Sequence, residues 1–339
     1  ENLARELSRQ IHQDGSGILC TITAAGPTAG PYTVQGAGNY TDGAGNPVAN
    51  GTQYLRPGMT VACLEVVVAT GVVTAVIPAA TIHTIASTNP TASTVTFAAS
   101  TTLAAGAGGT LILCRADTAG AVANRSYSNE IWGFGIAVSD DDPLGAGIIS
   151  SAPSHTTASY LGIPRVTAIA GVGPFDEWKS ILKHNNGNPF PIPSNLLPLH
   201  EVIRRCRDKS GQEPSHLMMS GSVWEAYVDA LSDNTRYEPQ RIKGGYLDGY
   251  PTFASGKEKP ILVDADVPYN QILFLNLNKM EWLEGRALAW DDTDGSILHR
   301  ITGTDTFEGL MKGYLNLGVA APQSCGRLMD IETKSDNYF

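Results

Sequence analysis

Leucine and isoleucine recur at four-residue spacing at the start of the chain, as Leu3, Leu7 and Ile11, while Arg5, Glu6 and Arg9 occupy the other faces. This pattern predicts a helix with one apolar stripe, stopped by Gly15 and Gly17, because glycine adopts the left-handed conformation that ends helices. From Thr23 to about Ser128 the period changes. Runs rich in β-branched residues ("MTVACLEVVV", "GVVTAVI", "TIHTIAST", "STVTFAAS" and "GTLILCRA") are separated by Gly, Pro, Asn and Ser. They predict short strands forming a small all-β barrel or sandwich with its core at about residues 53–116, with residues 23–50 leading into it or packed around it. From Asn129 onward the patterns mix. "NEIWGFGIAVS" reads as a strand region, "DEWKSILKHNN" and "LLPLHEVIRRCRDKSG" as helices, "HLMMS" as a buried strand and "SVWEAYVDALS" as a helix. "QILFLNLNKMEWLE" and the tail "FEGLMKGYLNLGVAAPQSCGRLMDIE" read as strands.

Composition sharpens this division. The 339 residues suffice for more than one domain, and 42% apolar content suffices for real cores. Between residues 23 and 128 the only charged side chains are Asp42, Arg56, Glu65, Arg115, Asp117 and Arg125. A net charge of −10 argues against a protein that grips nucleic acid through a basic surface. Cys20, Cys63, Cys114, Cys206 and Cys325 lie far apart and form no C-x-x-C pair, which predicts reduced thiols in an intracellular protein rather than a disulfide framework or zinc site. The most apolar stretch, residues 61–77, contains Glu65 and Gly71 and reads as two strands joined by a turn, not as a bilayer helix. The chain opens inside its first predicted helix without Met or a capping residue, so a longer native polypeptide is expected, extending upstream by an arm and a loop.

Candidate chemistry is sparse. Ser220 and Ser222 flank Gly221 at a strand-to-helix passage, where a hydrolase could present a nucleophile. A nucleophile elbow requires G-x-S-x-G with an acid and then a histidine downstream, and here only His299 follows. Ser222 with Glu225 three residues later instead matches a helix capping box. The acidic runs "SDDDP" (139–143) and "DDTDG" (291–295) lack the ligand spacing of an EF-hand and read as turns with solvated charge. His12, His83, His155, His184, His200, His216 and His299 share no metal-ligand spacing, and "GFG" at Gly133–Gly135 lacks the third glycine of a dinucleotide fingerprint. The glycine-rich "VQGAGNYTDGAGNPVANG" lacks the lysine of a phosphate loop, and "NYT", "NGT" and "NRS" carry weight as glycosylation sites only in a secreted chain. The residues thus predict no catalytic, cofactor or metal site, and no enzyme.

The serial order of segments resembles the major capsid proteins of tailed bacteriophages with the Hong Kong 97-like fold. It rests on "DGSGILCTI" after the first helix, "QYLRPGMTV", "NEIWGFGIAVS" and "FDEWKSILKHNNGNP". It continues in "PSHLMMSGSVWEAYVDALSDNTRY", "GGYLDGYPTFAS" and "ILVDADVPYNQILFLNL". The resemblance implies an α+β fold in which residues 1–22, 129–216 and 285–316 form a peripheral domain, with the spine helix in 1–22. Residues 217–284 and the return at 317–339 form an axial domain, with Gly249 and Pro251 at an axial-domain turn. Residues 23–128 are an inserted β-rich domain. It further implies subunits that self-assemble into hexamers and pentamers of an icosahedral head around double-stranded DNA, held without sequence specificity. Portal, scaffolding and decoration proteins are the implied partners, with assembly in the host cytoplasm, residence in the virion and no membrane. An encapsulin-type compartment shell and, more remotely, a serine hydrolase are the alternatives. No residue upstream of the first helix supplies the family's arm and extended loop, so no crosslinking lysine can be assigned.

Overall fold

The computed structural model describes residues 2–12, 17–22, 30–35, 52–67, 72–76, 82–90, 92–99, 103, 109–116, 131–139, 159–161, 163–165, 173, 175–185, 190–192, 196–232, 249–251, 258–268, 270–292, 295–300, 305–309 and 311–331. The expected first helix is α1 (Asn2–His12), and Gly17 beyond it has φ 72°. Among its described side chains the deepest are Arg9 and His12 rather than the leucine stripe, while Ile11 packs partly buried into the core.

Seven strands follow: β1 (Ile18–Ile22), β2 (Tyr32–Gln35), β3 (Thr60–Val67), β4 (Val72–Val76), β5 (His83–Asn89), β6 (Thr94–Phe97) and β7 (Gly109–Arg115). Their order is β4-β3-β5-β6-β2-β1-β7, and β7 returns to pair with β3, so the sheet closes into an antiparallel barrel with β4 extending one flank. Closure gives β3 partners on both sides, while β4 at the flank pairs on one side only among the described residues. The β3–β7 strands match the five runs read from the sequence. The barrel is nevertheless larger than expected, because β1 and β2 are staves of it rather than peripheral or lead-in segments. Its interior is packed by Leu19, Tyr32, Val34, Val61, Cys63, Ile85, Val95, Phe97, Leu111 and Leu113. The alternate positions Ala62, Leu64, Ile112 and Cys114 form a second buried cluster on the outer face. Burial on both faces explains why these strands carry almost no charge.

The rest of the chain contributes α2 (Phe134–Ala137), β8 (Ser159–Tyr160), β9 (Ile163–Pro164), β10 (Ile181–Lys183), α3 (Leu197–Ser210), β11 (His216–Met219), α4 (Gly221–Ser232), β12 (Gly249–Pro251), β13 (Glu258–Val263) and β14 (Ile272–Leu275). It ends with β15 (Met280–Trp290), β16 (His299–Arg300), β17 (Phe307–Glu308), β18 (Met311–Val319) and β19 (Gly326–Leu328). A mixed six-stranded sheet runs β10-β19-β14-β11-β13-β12. Ile272 and Phe274 of β14 face a cluster with Val202, Ile203 and Cys206 of α3 and Val223 and Tyr227 of α4. Leu273 and Leu275 face the opposite cluster of Phe134, Ile136, Tyr160, Leu317 and Val319. A strand covered on both faces reads as the unbroken apolar run "ILFL". α3 ends at Gly211 in the left-handed conformation, φ 71°, with its N–H on the Arg207 carbonyl, as the sequence predicts.

Two segments differ from the sequence reading. "NEIWGFGIAVS" contains the short buried helix α2, not a strand, and two buried arginines take up its carbonyls. Arg165 donates to those of Ile136 (2.7 Å) and Ala137 (3.1 Å), and Arg327 to those of Phe134 (3.1 Å) and Gly135 (2.8 Å). "DEWKSILKHNN" is a 3-10 turn over Asp176–Trp178 followed by β10, not a helix, because Ile181–Lys183 finds a parallel partner in β19.

The loop after β13 gathers three parts of the chain. Gln53 Nε2 donates to the carbonyls of Ala265 (3.1 Å) and Val267 (2.9 Å), and Tyr54 Oη to that of Asp266 (2.9 Å), so the barrel is tied to this loop. Asp264 accepts the Asp266 N–H at 2.9 Å, and its carboxylate lies 3.3 Å from Nε2 of buried His12 at the end of α1. The His12 hydrogen bond holds the Asp264 carboxyl below the ordinary carboxylate range, against the opposing effect of burial. A depressed acid stabilises the fold fully above its unfolded pKa of about 3.9 and loses that contribution as pH falls through the lower folded value. Urea midpoints of wild type and Asp264→Asn should therefore differ most at neutral pH and converge below about pH 4. A gap that persists at low pH would show that the tie does not depend on the ionised carboxylate.

Candidate functional site: an exposed two-stranded arm

The two serines sit at the start of a helix. α4 begins at Gly221, and the Trp224 N–H bonds to the Ser220 carbonyl at 3.0 Å, so Ser220 holds the capping position. Ser222 lies inside the first turn with its Oγ 3.2 Å from Ser220 Oγ, and Glu225 is exposed one turn on. The helix thus starts two residues earlier than the Ser222–Glu225 capping box requires. Gly249 and Pro251 likewise stand in β12 rather than in a turn, paired with Pro260 and Glu258. β12 is the outermost strand of its sheet, where a proline without an N–H is tolerated.

The remaining candidates are engaged in structure. Asp291 of the second acidic run pairs with Lys312 and, at 3.8 Å, with Arg286. The Gly295 N–H bonds to the Asp292 carbonyl at 2.8 Å with φ 80° at the glycine, which is turn chemistry. Of the first acidic run only Ser139 is among the described residues, and Asn39, Asn50, Asn124 and His155 also lie outside them. His83 packs on Phe97 at 5.2 Å, His216 Nδ1 meets Ser215 Oγ at 2.8 Å, and desolvation lowers the pKa of His200. All five cysteines are free and buried, and desolvation raises the thiol pKa of Cys63 to about 12 and of Cys325 to about 11. Among the described residues, no three His, Cys, Asp or Glu side chains could jointly hold a metal ion, and no helix is long and apolar enough to cross a membrane.

The feature that the core does not explain is the ribbon of β15 and β18. The two strands pair antiparallel from Met280–Val319 to Trp290–Met311, with register shifts on either side of Arg286. Eleven residues at about 3.3 Å each make an arm roughly 35 Å long. Only its base enters the core, through Leu317 and Val319, and along the rest of β15 both faces stay open. Trp282 is 47% exposed, Trp290 49%, Tyr314 65%, and Phe307 in the small β16–β17 extension 61%. Glycine lets the strands approach closely. A Cβ on Gly309 would come within 3.1 Å of the Trp290 ring and 3.3 Å of Leu298, and one on Gly313 within 3.1 Å of Leu288. A groove of about 840 Å³ opens between α1 and the arm and runs along the arm from Glu281 to Leu288, lined by Leu7, Trp132, Trp282, Leu288 and Tyr314 and carrying Glu281 and Glu284. The sequence reading identified these strands but assigned them no function. The available signal was apolar residues on both faces of "MEWLEGRALAW", too many for a strand that is half buried.

No family model and no curated protein matches the chain. Among solved structures it is similar to a chain of the Cyanophage A-1(L) capsid asymmetric unit, with 18% identity, a TM-score of 0.35 and coverage of 58% of this chain and 64% of that one. It is also similar to the holo-SrpI encapsulin complex from Synechococcus elongatus PCC 7942, with 15% identity, a TM-score of 0.30 and coverage of 47% and 55%. The chain thus spans less than two thirds of each of these relatives.

Proposed function

We propose that this chain is a shell-forming subunit, the major capsid protein of a tailed phage, which assembles into hexamers and pentamers of an icosahedral head around double-stranded DNA. The observation that carries this reading is the arm. A two-stranded ribbon is at best marginally stable alone in water, and one that exposes Trp282, Trp290, Phe307 and Tyr314 has too much apolar surface for an isolated monomer. Aromatic side chains in this state are interface anchors awaiting a partner. In this assignment residues 217–284 and 317–339, with α4, β12–β14 and β19, are axial-domain material. Residues 1–22, 129–216 and 285–316, with α1, β10, α3 and most of the arm, are peripheral, and residues 23–128 are an inserted domain. Its function is contact rather than catalysis.

The purified chain, imaged by negative-stain electron microscopy, should form closed particles. Trp282→Asp with Trp290→Asp should abolish them while leaving the circular dichroism spectrum unchanged, since both side chains are half exposed in the subunit. Assembly that survives this double substitution would sink the arm's role. A shell filled with protein cargo rather than DNA would transfer the chain to the encapsulin-type reading.

A further inference from the structure

One carboxylate stands between the first helix and the barrel. Oδ2 of Asp264 lies 3.3 Å from Nε2 of His12, the last residue of α1, and Oδ1 accepts the Asp266 N–H at 2.9 Å. The second of these bonds is the turn that an aspartate makes with the main chain two residues on. It sets the path of Ala265, Asp266 and Val267, whose carbonyls accept from Gln53 and Tyr54 of the barrel. Behind the loop, the Asp264 N–H is anchored on the Met219 carbonyl at 3.0 Å.

The two members of this pair differ in what else is open to them. The Asp264 side chain is 39% exposed, so without His12 it can turn to water and leave the Asp266 N–H. The His12 side chain is buried, packs on the Phe134 ring at 5.6 Å, and has no hydrogen-bond partner for Nδ1 among the described residues. Losing Asp264 would therefore leave both ring nitrogens buried and unpaired, which is costly. The core fixes His12, and His12 fixes Asp264. We propose that Asp264 couples the end of α1 to the seat of the barrel. When His12 holds the carboxylate, the loop presents its three carbonyls together and the barrel is seated; when the carboxylate is released, the loop opens and all three acceptors are lost at once. Leu7 and Gln10 of the same helix line the groove beside the arm, so whatever shifts α1 there acts on the barrel through its last residue. The coupling is reciprocal, as any linkage between two sites must be, and it does not depend on the shell reading.

Hydrogen exchange of the full chain, read by mass spectrometry, tests this with residues 264–267 and 52–55 as reporters. The first segment carries the Asp266 N–H, and the second carries the Leu55 N–H, which bonds to the Thr52 carbonyl at 2.9 Å. His12→Phe keeps a ring against Phe134 and removes the donor. It should speed exchange in both segments by about tenfold or more, the scale of losing one hydrogen bond to a charged group. His12→Gln restores an N–H and should bring both segments back toward wild type. Gln53→Ala should speed exchange at 264–267 from the barrel side. Combined with His12→Phe it should give less than the product of the two single effects, because one opening serves both. Faster exchange at 264–267 with 52–55 unchanged in His12→Phe would overturn the coupling, and so would single effects that multiply. An equal rise in the core strands β11 and β14 would overturn it too, by showing global loosening instead of a local opening. The shell reading fails separately, if the unmodified chain gives no particles under the microscope.

Discussion

Replacing Arg165 with methionine should lower the unfolding free energy by about 3–5 kcal/mol, the scale of leaving buried polar partners uncompensated. Arg165 is fully buried. Its guanidinium donates to the carbonyls of Ile136, Ala137 and, at 3.1 Å, Trp178, and its carbon Cζ sits 4.9 Å from the centroid of the Tyr160 ring. α2 has only four residues, so its last carbonyls lack intrahelical partners and depend on this side chain and on Arg327. Methionine fills much of the space but donates nothing. Ala137 retains a 3.3 Å bond from Ser180 Oγ, which limits the loss at that one carbonyl. Arg165→Lys should recover less than half, because a single ammonium cannot span three carbonyls as a planar fork does. Urea titration followed by tryptophan emission reads the change, and a loss below about 1 kcal/mol would refute the assigned role, being no more than an ordinary exchanged hydrogen bond.

Gly326→Val should cost about 3 kcal/mol, at the upper end of overpacking penalties. Gly326 lies in β19 where α3 crosses the sheet. A Cβ there would stand 2.6 Å from Val202 Cγ1, 3.0 Å from the Ile181 carbonyl oxygen and 3.2 Å from Cys206 Sγ. The oxygen belongs to the neighbouring strand β10 and cannot yield without breaking the pairing. Val202→Ala in the same chain should restore part of the loss by vacating the closest contact, a coupling expected for residues that touch. Thermal unfolding of the single and double variants measures it. Equal melting temperatures for wild type and Gly326→Val would show that α3 packs further from the sheet.

Elements whose stability is local were legible from the sequence. α3 has its own stripe of Leu199, Val202, Ile203 and Cys206, a basic last turn and a glycine stop, and the structure follows it to the residue at Gly211. β3–β7 were visible as β-branched runs between turn residues. What escaped depends on distant partners. β10 is a strand because residues more than a hundred positions away pair with it, and α2 is helical because Arg165 and Arg327 accommodate its carbonyls. β1 and β2 looked like a helix exit and a lead-in, since barrel closure is stated nowhere in their own residues. The capping box failed for a smaller reason: two serines flank Gly221, either can start a helix, and the Ser220 carbonyl takes the first helical hydrogen bond. The arm was legible as strands, but its exposure was not, because an apolar strand reads the same whether its cover is its own chain or another.

The joint between barrel and sheet is one-sided in its chemistry. Gln53 and Tyr54 supply the side chains, whereas Ala265, Asp266 and Val267 supply only main-chain oxygens. Every amino acid carries that oxygen, so Ala265 and Asp266 can drift in identity without the socket changing shape, while a change in loop length would misplace all three acceptors together. In these three hydrogen bonds the specificity resides in two adjacent residues of the barrel. A foreign module grafted at this place would need to bring that pair with it, and the receiving loop would need no redesign beyond keeping its length.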